Sequence, residues 1–96
     1  MIMNNEKLEA MYDLARKAYY ECIGKEENSF LNEEVNLKEI NIQNDSVKIS
    51  FLGADDLQYT IETRINLLLN KTKVIGYYSY IVNEELTQVD DFLVFY

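Results

Sequence analysis

Residues 57–82, LQYTIETRINLLLNKTKVIGYYSYIV, decide how this chain is read. Leu57, Tyr59, Ile61, Ile65, Leu67 and Leu69 alternate with Gln58, Thr60, Glu62, Arg64, Asn66 and Asn70. A period of two places the first set on one face of a β-strand. Only Thr63 and Leu68 break the alternation. A turn at Asn70 and Lys71 then returns a second strand along the first, making one long hairpin. If Leu69 lies opposite Thr72, then Leu67 meets Val74, Ile65 meets Gly76, Thr63 meets Tyr78 and Ile61 meets Tyr80. A four-residue turn preserves that apolar face, whereas a three-residue turn scrambles it.

Outward from the hairpin, the 96 residues predict one domain over 1–96, large enough for a single core without a metal or a disulfide. Proline is absent, and the lone Cys22 cannot form an internal disulfide. Met1 to Asn5 lacks the basic and apolar regions of a secretory leader, and no apolar run approaches the roughly 20 residues of a membrane helix. The expected location is cytoplasmic. A formal charge of -8 argues against nucleic acid and anionic membrane as partners, since both are polyanions, and mildly for a basic partner. Acidity that serves only solubility is the competing reading.

Asn4 or Asn5 caps a helix running to about Ile23, with Gly24 placed for its C-terminal stop. Leu8, Met11, Tyr12, Ala15, Ala18, Tyr19, Cys22 and Ile23 recur at spacings of three and four as one apolar stripe, flanked by Leu14 and Tyr20. Asp13 and Lys17 are spaced for a weak pair. Residues 25–34 read as an acidic loop anchored by Phe30 and Leu31. Val35 to Gln43 reads as a strand whose apolar phase changes between Leu37 and Ile40, predicting a bulge near Lys38 and Glu39. Asn44 and Asp45 then predict a tight turn that sets Ile42 against Val47 and Ile40 against Ile49, with Val47, Ile49 and Phe51 on the core face. Gly53 to Asp56 turns the chain into the central hairpin. After a polar stretch from Asn83 to Asp91, Phe92 to Tyr96 forms a short last strand that is apolar on both faces. Such a strand needs a central place in the sheet or a partner. The fold class is therefore α+β, one N-terminal helix packed on a curved antiparallel sheet of about five strands.

A helix held by a long curved sheet resembles the cystatin-like and NTF2-like fold superfamily, and the tail GYYSYIVNEELTQVDDFLVFY looks like the closing strands of small NTF2-like proteins. The resemblance implies a small inhibitor- or immunity-type protein; folds of this kind also host enzymes and oligomerisation modules.

Catalytic equipment is scarce. Without histidine the chain lacks the usual general base and the common nucleophile pairs, together with most zinc and iron sites. Cys22 lies on the helix stripe near the C-terminus, where the helix dipole disfavours a thiolate, and reads as a core thiol. Gly24, Gly53 and Gly76 stand alone and make no phosphate loop. No cofactor and no metal is expected. Adjacent carboxylates do recur, at Glu26-Glu27, Glu33-Glu34, Asp55-Asp56, Glu84-Glu85 and Asp90-Asp91. They fit a divalent-metal site, an acid and base pair, an acidic binding surface, or plain solvated loops.

Tyr77 points away from Tyr78 and Tyr80. With Leu68, Ile75 and Ile81 it forms a second apolar face that a single helix cannot cover, and Arg64 is placed to stack on it. The candidate partner-binding residues are Arg64, Leu68, Ile75, Tyr77 and Ile81, with Asp55, Asp56, Glu84, Glu85, Asp90 and Asp91 as the acidic rim. Two classes of function follow. The first is a non-enzymatic acidic inhibitor, immunity or anti-defence factor that blocks a basic surface on a toxin or nuclease. The alternative is a homo-oligomeric structural or regulatory module that dimerises through the apolar sheet face.

Overall fold

In the computed structural model, which describes residues 4–23, 40–53 and 58–96, the chain folds as α1 (Asn5–Ile23), β1 (Ile40–Phe51), β2 (Tyr59–Leu69), β3 (Lys73–Asn83) and β4 (Gln88–Phe95). The strands form one antiparallel sheet in the order β1-β2-β3-β4. Among the described residues there are thus four strands where about five were expected.

Asn4 caps α1, its side-chain Oδ1 accepting from the Lys7 N–H at 2.9 Å while its carbonyl accepts from Leu8 at 3.0 Å. Such a cap contributes about 1 kcal/mol to the helix. The apolar stripe faces the sheet as its spacing requires, with Met11, Ala15 and Tyr19 buried. Asp13 pairs with Arg16 at 2.9 Å rather than with Lys17, because the Arg16 guanidinium is also held by Asn44 of β1. No helix among the described residues is long and apolar enough to cross a membrane.

Asn44 and Asp45 do not turn the chain. They lie within β1, which pairs with β2 from Ile40 opposite Leu69 to Phe51 opposite Tyr59, and the register slips once between Asn44 and Ser46. Asp45 is the additional residue of a β-bulge. A bulge reverses the inward phase of a strand as a turn would, so Ile42 before it and Val47 and Ile49 after it all pack on the helix side. That reversal removes the fifth strand. The bulge expected near Lys38 and Glu39, and the loop, turn and anchor expected at residues 25–34 and 54–56, lie outside the described residues.

The central hairpin turns at Asn70 and Lys71, whose φ values of 55° and 64° suit a primed turn closed by Thr72 N–H donating to the Leu69 carbonyl at 3.2 Å. Its register differs from the expected one. Leu69 pairs with Lys73, and a second slip between Leu67 and Leu68 leaves Ile75 as an additional residue, so Leu67 meets Gly76, Ile65 meets Tyr78, Thr63 meets Tyr80 and Ile61 meets Val82. From Gly76 onward the total displacement is two residues, one full period of a strand, so the side chains from Gly76 to Val82 keep their expected faces, whereas Val74 and Ile75 exchange theirs. Gly76 is required here for space. A Cβ on it would lie 2.1 Å from the Val94 carbonyl oxygen, so β4 can approach only a glycine.

The core lies between α1 and the sheet. Ala15, Tyr19, Ile65, Leu67 and Tyr78 are almost wholly shielded, and Met11, Ile61 and Val82 form a second cluster beside them. Tyr19 and Tyr78 meet with ring centroids 5.8 Å apart. Cys22 packs against the edge of the first cluster, the place expected of a core thiol.

β4 begins at Gln88, four residues before the expected strand. Asn83 makes this possible. Its Oδ1 accepts from the Glu85 and Thr87 N–H groups at 2.9 and 3.0 Å, and Leu86 takes a φ of 62°, so residues 83–87 close a hairpin. Among the described residues β4 forms an edge of the four-stranded sheet, so a central place does not account for its two apolar faces.

Candidate protein-binding face of the sheet

Alternation along β4 divides its apolar side chains. Leu93 and Phe95 pack on the helix-side core, while Phe92 and Tyr96 remain 47% and 80% exposed on the opposite face. Across the ladder Val94 lies opposite Tyr77, and the Tyr77 and Tyr96 rings stand 6.2 Å apart. Ile81, opposite Asp90, extends this set toward the β3–β4 turn. The face opposite the helix is thus apolar over β3 and β4. Over β1 and β2 it is polar, with Asn41, Gln43, Lys48 and Ser50 exposed.

A polar network marks the boundary. Arg64 lies over the Tyr77 ring, its guanidinium carbon 4.0 Å from the centroid, which is the stacking expected from the sequence. Its cross-strand neighbour is Ser79, however, and Tyr77 pairs with Asn66, so the contact is diagonal. Arg64 also donates to Ser79 Oγ and to Glu62 Oε2, each at 3.2 Å, and Ser79 Oγ donates to the same carboxylate at 2.9 Å. These bonds satisfy Ser79, which is 1% exposed, and Glu62 largely offsets the Arg64 charge. What remains beside the aromatic groups is acidic. Residues 74–96 contain no lysine or arginine but carry Glu84, Glu85, Asp90 and Asp91.

Several expected members of the site are elsewhere. Ile75 packs against the helix-side core as the additional residue of the bulge, so it leaves the patch. Leu68 is only 8% exposed and offers little to a partner. Asp91 lies on the helix side, where it accepts the Tyr78 hydroxyl at 2.8 Å. Adjacent residues of a strand point to opposite faces, so Asp90 and Asp91 cannot share one. Glu84 and Glu85 are exposed on the β3–β4 turn, and Asp90 is exposed beside Phe92. Asp55 and Asp56 lie outside the described residues. Phe92, Val94 and Tyr96, missed as site residues, were signalled by the two-faced apolar tail; what identifies them is the position of β4 at an edge.

Burial and the Asp91 hydrogen bond push the Tyr78 hydroxyl far above the usual tyrosine range. Burial also raises Tyr19 to about 12, and its hydroxyl has no hydrogen-bond partner among the described residues. Both rings therefore act as neutral core groups at ordinary pH. A cavity of about 310 Å³ on the helix side, lined by Lys7, Ala10, Met11, Tyr59, Ile61, Glu84 and Leu86, is mainly apolar. Among the described residues no group of three or more Cys, Asp or Glu side chains is arranged to hold a metal ion. The chain matches no family model, no curated protein and no solved structure.

Proposed function

We propose that the protein is a non-enzymatic binding protein, a small acidic inhibitor or immunity or anti-defence factor of cystatin-like or NTF2-like architecture, acting in the cytoplasm. It blocks a basic surface on another protein through the face of β3 and β4 that lies away from the helix. The observation that carries this reading is the exposure of Phe92 and Tyr96 beside Tyr77 and Val94 on that face, with exposed Asp90 next to Phe92 and exposed Glu85 on the adjoining turn. Exposed aromatic groups supply most of the affinity of a protein interface, and an acidic border raises the rate of encounter with a basic partner. Dimerisation through the same aromatic face is the second reading, supported by the exposure of Phe92 and Tyr96. The charge of -8 on each copy opposes it.

Affinity capture from the native host tests the proposal, with the tagged chain and its Phe92→Ser variant compared at low and high salt. A basic protein retained by the parent chain, released by salt and absent from the variant is the expected result. Capture indifferent to both salt and substitution would refute it.

A further inference from the structure

The two edges of the sheet differ in their openness to another strand. β1 is interrupted by the bulge at Asp45 and exposes Lys48, two features that discourage edge pairing. β4 keeps an unbroken register from Asp90 to Phe95, with no lysine or proline. The direction of its free hydrogen-bonding groups follows from one contact. Tyr96 N–H donates to the Ile75 carbonyl at 2.9 Å, so by alternation the main-chain groups of Phe92 and Val94 also face β3, and those of Asp91, Leu93 and Phe95 face away from it. Among the described residues no strand pairs with that outer edge.

We propose that an extended segment of the partner, bearing lysine or arginine at alternate positions, adds to β4 as a fifth strand. This rests on the binding function proposed above and specifies how the partner is held. Asp91, Leu93 and Phe95 supply the main-chain hydrogen bonds. Apolar side chains of the added strand lie beside Phe92 and Val94. Charge selects the occupant, because the cations of such a strand fall on the face of Asp91, Glu84 and Glu85 are exposed on the adjoining turn, and β3 and β4 carry no lysine or arginine after Lys73. A second copy of this chain would bring the same carboxylates to the same edge.

The test uses the full chain, labelled with nitrogen-15, and a capped heptapeptide of alternating lysine and valine as the probe. Saturation should slow exchange of the Leu93 and Phe95 amides about tenfold or more, leaving Phe92 and Val94 unchanged. N-methylation of the peptide in one alternating frame should abolish binding while the other frame is tolerated. The matching glutamate-valine peptide should bind at least about tenfold more weakly at low salt. Absence of lysine-peptide binding, binding without protection of Leu93 and Phe95, equal binding of the glutamate peptide, or protection that grows with protein concentration alone would each overturn the proposal. Should host capture still depend on Phe92 in any of these cases, the blocking function stands and only the edge pairing fails.

Discussion

On the helix side of the sheet Ile65, Leu67 and Tyr78 are wholly shielded, whereas on its opposite face Phe92 and Tyr96 keep 47% and 80% of their surface in water. Both sets come from strands of similar apolar content, so composition does not separate them. The difference lies in what faces each set. α1 presents Ala15 in mid-stripe, a small residue that lets Tyr19 and Tyr78 close over the sheet, and each side chain buried there contributes roughly 1.5 to 3 kcal/mol. On the other face the Arg64, Glu62 and Ser79 network satisfies its own polar groups and leaves the aromatic side chains of β3 and β4 open. Stability thus concentrates on one face, and the proposed recognition on the other.

Substitutions should divide along the same line. Leu67→Ala, which leaves a cavity beneath α1, should cost about 2 to 5 kcal/mol in chemical denaturation. Little change would mean that the helix side is not the stabilising face. Gly76→Ala should cost about 1 to 3 kcal/mol and loosen β4, because its methyl group meets the Val94 carbonyl; amide exchange along β4 reads this directly. High pH tests the tyrosines. The folded-state value of Tyr19 is raised from 10 to about 12, so its contribution is complete below pH 10 and is lost as pH rises through 12, the unfolded chain releasing its proton first. Tyr78 adds in the same direction. Unfolding followed between pH 9 and 12 should show stability falling by up to about 1.4 kcal/mol per pH unit for each group, and Tyr19→Phe should remove part of the fall. Phe92→Ala should change stability least, within about 0.5 kcal/mol, while abolishing partner capture. A large loss of stability at Phe92 would erase the contrast between the faces.

The sequence revealed the helix with its apolar stripe and a cap at Asn4 or Asn5, of which the structure selects Asn4, and the turn at Asn70, because each depends on nearest neighbours. It also assigned Tyr77 and Tyr78 to opposite faces, even though their cross-strand partners were displaced by two residues. The bulges were less legible. The phase change between Ile42 and Val47 has one appearance whether the chain turns or bulges, and only the unbroken partner strand β2 distinguishes the two. Asn83 carries a turn signal whose side-chain bonds to Glu85 and Thr87 bring β4 to an earlier start than apolarity suggests. Ile75 left the patch for the same reason, since an additional residue in a strand alters facing without altering the apolar pattern. The Tyr78 to Asp91 hydrogen bond was illegible because it joins residues on separate strands.

Sedimentation equilibrium of the full chain, from micromolar to about 100 µM and at low and high salt, tests most directly whether the aromatic face serves a foreign protein. The account predicts a monomer throughout, with Phe92→Ala sedimenting identically. A salt-stabilised dimer that Phe92→Ala dissociates would contradict it, for the face would then be covered by the protein's own copy.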